Sequence, residues 1–149
     1  NRIIAELAAD ILAGPSSALY SDLYANGGIT ADFASESMVF PGTVAIMISG
    51  ESRDPDRVLE RVKDTAYKLS REIDVAYFER VRKAHVGVML RSLDSVTTLC
   101  REQAEATFAG FDYLDTLEVI NEIEPSEVAK FIGKVFKEES MALSVVRGK

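Results

Sequence analysis

The chain has 149 residues, with 24 acidic against 17 basic side chains and a formal charge of −7. That length fits one domain and lets roughly 70% of the unfolded surface be buried. The negative balance argues against a nucleic-acid or anionic-membrane partner, since both need a basic field.

No apolar run approaches the roughly 20 residues of a membrane span, and no basic-then-apolar signal segment opens the chain. A single cysteine leaves no internal disulfide, and a reducing, cytoplasmic setting is the simplest expectation. Asn1-Arg2 leads straight into a helical pattern, which reads as a piece of a larger protein.

Helix one is expected over about 2 to 13. Ile3, Ile4, Leu7, Ala8, Ile11 and Leu12 follow the spacing of one buried face. Gly14 and Pro15 stop it. Helix two is expected over about 16 to 25, with Ser16 or Ser17 as N-cap and Leu19, Tyr20 and Leu23 inward. Asn26-Gly27-Gly28 breaks it. Two strands follow, near 31 to 39 and 42 to 49, turned at Pro41-Gly42 into a hairpin. Thr43 to Ile48 is apolar and β-branched and reads as a central strand, whereas Asp32, Ser35, Glu36 and Ser37 leave one face of the other strand wet.

Asp54-Pro55 starts helix three, with Val58, Leu59, Val62, Ala66 and Leu69 inward as far as about 71. Asp74 caps a longer helix to about 93, with Phe78, Val81, Val88 and Met89 inward. Asp94 or Ser95 restarts the chain as a helix to Ala109, ended by Gly110. Asp112 caps a short helix to about 121. Pro125 opens another, to about 137, with Val128, Phe131, Ile132 and Val135 inward. Met141 to Val146 reads as a closing strand. The order ααββαααααβ predicts an α+β domain, an antiparallel sheet covered by helices on one face. Three strands are few for this many helices, so the opening strands are expected upstream. The severed sheet then exposes an edge near the chain start, and the isolated piece is expected to self-associate.

The chemistry is sparse. Zinc needs clustered imidazole, thiolate or carboxylate ligands, and the chain has one histidine and one cysteine. His85 falls within the apolar stripe of its helix and reads as a partly buried core histidine bonded to a backbone or carboxylate group. Cys100 shares a face with Val96 and Leu99 and reads as a small buried hydrophobe. Gly14-Pro15-Ser16-Ser17 lacks the lysine of a phosphate loop and reads as a capping corner. Glu118, Glu122, Glu124 and Glu127 read as a solvated face, without the rhythm of a calcium loop. No Gly-x-Ser-x-Gly elbow occurs. The residues alone support a soluble α+β domain without its own active site.

An ordered series of motifs resembles the insulinase/pitrilysin family of zinc peptidases. It runs from Leu12-Ala13-Gly14-Pro15-Ser16-Ser17-Ala18-Leu19-Tyr20, through Leu23-Tyr24 and Gly28-Ile29, to Pro41-Gly42 and Asp54-Pro55-Asp56-Arg57. It continues with Phe78 to Lys83, Leu90 to Ser95, the Glu127-Val128 helix and Met141 to Val146. Within the family the chain is most similar to the bacterial peptidase-like proteins associated with modification of elongation factor P. The resemblance implies the C-terminal half of a two-half subunit, in the LuxS/mitochondrial-processing-peptidase-like metallohydrolase fold. It implies no metal or cofactor in this chain, with zinc in the N-terminal half on a His-x-x-Glu-His motif. It also implies a far wall for a peptide-binding chamber. The partners would be the N-terminal half or a homologous subunit, together with peptide or protein substrate. In active relatives an arginine and a tyrosine near the end of helix two help hold substrate. Those places hold Tyr24, Gly27 and Ala31 here, so the resemblance assigns this chain no catalytic or substrate-binding residue. An inactive binding or assembly module is the competing reading, and a small-ligand sensor a third.

Overall fold

A computed structural model describes residues 2–40 and 42–147. Seven α-helices and one β-hairpin are present among them: α1 (Arg2–Ala13), α2 (Ala18–Ala25), β1 (Ala34–Phe40), β2 (Thr43–Ser49), α3 (Pro55–Leu69), α4 (Val75–Leu93), α5 (Val96–Ala109), α6 (Thr116–Glu122) and α7 (Pro125–Val135). A single 3₁₀ turn follows at Glu138–Ser140.

α1 is the axis of the domain. Leu7, Ala8, Ile11, Leu12 and Ala13 are buried in the main core with Leu19, Phe78, Val128 and Ile132. Every other helix or strand except α5 packs on α1. A fully buried side chain of this size contributes about 1.5–3 kcal/mol. Within the 24-residue stretch Arg2–Ala25, one window of 18 residues reaches a mean hydropathy of 1.2, which is span-like by composition. The chain nevertheless breaks after Ala13, and the apolarity of α1 serves the core.

The break has a steric cause. Gly14 donates its N–H to the Asp10 carbonyl at 2.9 Å, and a Cβ on Gly14 would stand 2.6 Å from that oxygen. Only glycine lets the chain fold so tightly onto the end of its own helix. Ser17, rather than Ser16, is the cap: its Oγ accepts the Tyr20 N–H at 3.0 Å. α3, α4 and α5 are likewise capped by Asp54, Asp74 and Ser95. Gly110 ends α5 at a φ of 85°, where a Cβ would be strained.

The hairpin pairs Ser35 with Ile48, Ser37 with Ile46 and Val39 with Val44 on one face. Ser35 Oγ donates to the Ala9 carbonyl at 3.0 Å and ties that face to α1. The opposite face, with Met38, Phe40 and Met47, is exposed. The expected α+β arrangement is thus present: an antiparallel sheet with helices on one side. Gly42 takes the positive φ of the expected turn, while Pro41 lies outside the described residues.

Four expectations are corrected. β2 is not central, because β1 is its only neighbour among the described residues; its apolar run covers one half-buried face. Met141 to Val146 forms no strand, although Met141 has extended φ and ψ of −112° and 143°. A strand needs a ladder partner, and none meets this segment among the described residues. The first strand begins at Ala34 rather than 31. The short helix begins at Thr116, because Asp112 spends its carboxylate on the Leu114 N–H at 2.9 Å, closing a turn instead.

Candidate functional site

An open crevice of about 1090 Å³ lies between α1, α4, α5 and α6. Asp10 and His85 meet in it. His85 Nε2–H donates to Asp10 Oδ2 at 2.7 Å, with the two side chains 20% and 41% exposed. Helical geometry places them there. Asp10 is the polar position between Ala9 and Ile11 on the crevice side of α1. His85 lies two turns after Phe78, where the α4 stripe leaves the main core. The expected carboxylate-bonded histidine is present, half-buried rather than sealed.

Two further contacts frame the couple. Tyr77 donates its hydroxyl to the Ile11 carbonyl at 3.2 Å. Burial raises the Tyr77 phenol above its ordinary 10.0, and Asp10 adds to the rise, while Ser16 and Arg80 oppose it. At the far end of α1, Arg2 Nε donates to Glu6 Oε1 at 2.7 Å, and its guanidinium lies over the Phe111 ring. Burial lowers the Arg2 pKa, but the Glu6, Glu102 and Glu105 carboxylates outweigh it, so the guanidinium is held above its ordinary value.

An imidazole oriented by a carboxylate becomes catalytic only beside a nucleophile or a metal. Ser92 is seven residues beyond His85, about 10 Å along the helix. Its hydroxyl is engaged with the Met89 carbonyl at 2.6 Å and the Tyr113 hydroxyl at 2.8 Å. Among the described residues, no group of three or more histidine, cysteine, aspartate or glutamate side chains could hold a metal. The residues therefore do not fit a zinc centre. What the couple does is bridge α4 to α1 across the rim of the crevice.

The other singled-out residues do not converge on it. Cys100 is exposed, against the expectation of a buried thiol, because α5 turns Ala106 and Leu99 inward. Val88 is also exposed, at 59%, where an inward side chain was expected; the crevice opens beside that turn of α4. Glu118, Glu122, Glu124 and Glu127 are exposed as expected, and Glu127 accepts the Glu124 N–H at 2.9 Å as a helix cap. Tyr24 stacks on Tyr20 with ring centroids 5.8 Å apart, and Gly27 and Ala31 lie exposed just after it. The basic side chain that reaches α2 is Arg61, bound to Asp22. Nothing along the chain signals the Asp10 partner, since an i, i+75 contact has no periodicity to betray it.

These features define a class: a helix-covered α+β domain whose titratable groups brace helices rather than form a reaction centre. The chain belongs to the M16 peptidase family; residues 1–84 match the model described as the peptidase M16 inactive domain. This agrees with the insulinase/pitrilysin resemblance. Over 123 residues the chain is 25% identical to the uncharacterised zinc protease YmfH of Bacillus subtilis (strain 168), covering 83% of this chain and 29% of that protein. Its fold superposes with a TM-score of 0.77 on an M16-like peptidase from Alicyclobacillus acidocaldarius, at 25% identity over 88% of this chain and 32% of that one. A zinc protease from Bordetella pertussis Tohama I shares the fold with a TM-score of 0.72 at 18% identity, over 93% of this chain and 80% of that one. The chain thus spans under a third of the length of YmfH and of the Alicyclobacillus protein.

Proposed function

We propose that this chain is the non-catalytic C-terminal half of a zinc metallopeptidase and forms the far wall of a peptide-binding chamber. The zinc and its hydrolytic chemistry would reside in a companion N-terminal half. The observation that carries this reading is the match to an inactive peptidase domain. The lack of a metal-holding group among the described residues supports it. So does the exposed apolar face of the hairpin, where Met38, Phe40 and Met47 offer a flat surface suited to a chamber wall.

The test is to prepare the companion half with and without this chain and measure bound zinc and cleavage of an extended peptide. Zinc is expected with the companion half in both preparations, and cleavage only when this chain is present. Stoichiometric zinc on this chain alone, or full cleavage without it, refutes the proposal.

A second reading is favoured by the residues near α2. Tyr24, Gly27 and Ala31 stand where a substrate-holding arginine and tyrosine are implied, so the chain would serve as an inactive binding or assembly module. A companion half without His-x-x-Glu-His supports that reading over the first. A link to elongation factor P modification, which the family resemblance implies, is proposed alongside either reading. Deleting the gene would then change the modification state of that factor, read by intact mass; an unchanged mass refutes the link.

A further inference from the structure

We propose that the crevice between α1, α4, α5 and α6 docks a peptide segment of a partner protein that carries both basic and apolar side chains. The crevice lies among the helices, whereas the bare face of the hairpin turns away from them, so the site is separate from the proposed chamber wall and does not depend on it. Its floor is apolar and open to solvent. Val88 is 59%, Val119 45% and Phe111 37% exposed, beside Ile3 and Ile4 of α1. At about 1090 Å³ the crevice exceeds the roughly 300–1,000 Å³ of a small-ligand site. An apolar groove between helices is the kind that receives an amphipathic segment.

Charge decides what the occupant carries. Seven carboxylates but only two guanidiniums line the crevice. Glu6 and Glu102 take Arg2 and Arg101. Asp10, Asp112, Asp115, Glu122 and Glu127 then have no arginine or lysine partner among the described residues. Asp112 and Glu127 each accept one backbone N–H, which leaves their charge uncompensated. Five of the seven net negative charges of the whole chain therefore gather around one apolar floor. The crevice already holds one group of the kind it would take. The Arg2 guanidinium bonds Glu6 at 2.7 Å and lies 5.6 Å over the Phe111 ring. Burial disfavours its charge, yet Glu6, Glu102 and Glu105 outweigh that cost. A lysine or arginine of the partner would repeat this arrangement beside the carboxylates that Arg2 leaves free, with apolar neighbours on Val88 and Val119. An acidic segment would meet like charge, and a bare polyamine would leave the floor uncovered.

The test uses the full-length protein that carries this chain, with fluorescence anisotropy of a dye-labelled amphipathic peptide of lysine, leucine and alanine. Saturable binding below about 100 µM is expected. Asp115→Lys with Glu122→Lys should weaken it about tenfold or more. Glu72→Lys with Glu139→Lys makes the same change of net charge at exposed positions outside the crevice. That control pair should change affinity by less than about threefold, because distant charges are screened. Val88→Lys should weaken binding from the apolar side, and a peptide with serine in place of leucine should bind about tenfold more weakly or worse. Phe40→Lys, on the hairpin, should leave binding unchanged. No binding up to about 100 µM, equal binding of a glutamate, leucine and alanine peptide, or equal loss from the control pair overturns the proposal. So does spermine binding as tightly as the peptide, or a loss seen with Phe40→Lys but not with the Asp115 and Glu122 pair.

Discussion

Ser17→Ala tests whether the Gly14–Ser17 corner is held by its cap. The side chain is 1% exposed, and its Oγ accepts the Tyr20 N–H at 3.0 Å. Removing it costs a helix cap, about 1 kcal/mol and at most about 2, and leaves a part-buried N–H without a partner. An expected loss of about 1–2 kcal/mol lowers the melting temperature by roughly 3–7 °C in a domain of this size. Thermal unfolding followed by circular dichroism reads it. Ser17→Gly should lose less, since glycine is tolerated at this position. Ser16→Ala is the control: its side chain is exposed, so the change should stay within about 0.5 kcal/mol. If Ser16→Ala costs as much as Ser17→Ala, the cap has been assigned to the wrong serine. If neither costs anything, the corner is held by Gly14 and packing alone.

Asp10→Ala and His85→Ala, combined in a double-mutant cycle, should couple by about 0.5–1 kcal/mol, as for a partly solvated pair; coupling above about 3 kcal/mol would mean a desolvated pair. If the assembly proposed above cleaves peptide, neither change should lower that cleavage, and a drop of orders of magnitude would make the couple catalytic. For Tyr77, the folded phenol titrates above its ordinary 10.0, so the stability it confers is complete below that pH and is lost as pH rises through the folded value. Tyr77→Phe should flatten the alkaline fall in stability, and an unchanged slope above pH 10.0 counts against the assignment. Phe40→Lys and Met47→Lys alter side chains that already face solvent, so stability of the chain should shift by no more than about 0.5 kcal/mol. Its affinity for the proposed companion half or for peptide should fall, and unchanged affinity removes that face from the proposed chamber wall.

Helix starts were legible because local chemistry writes them. Asp54-Pro55, Asp74 and Ser95 each place an acceptor where free N–H groups need one, and each caps as read. The helical face of α1 was legible for the same local reason. What escaped was set by partners distant in sequence. Met141 to Val146 has strand composition but pairs with neither strand of the hairpin. Val88 and Cys100 continue apolar stripes past the point where core lies opposite them. The Asp10–His85 couple depends on how α4 crosses α1, which no spacing along either helix encodes.

The apolar interior is divided. Met89, Ala106 and Tyr113 form a cluster of their own, joined by Leu93, Leu99 and Leu117 and set apart from the one around α1. α4 and α6 thread both, through Phe78 and Met89 and through Ile120 and Leu117, while α5 belongs to the second cluster alone. Amide exchange should therefore show α5 opening as a local unit while α1 stays protected until the whole chain melts. A domain built this way can yield at its tip and hold at its base.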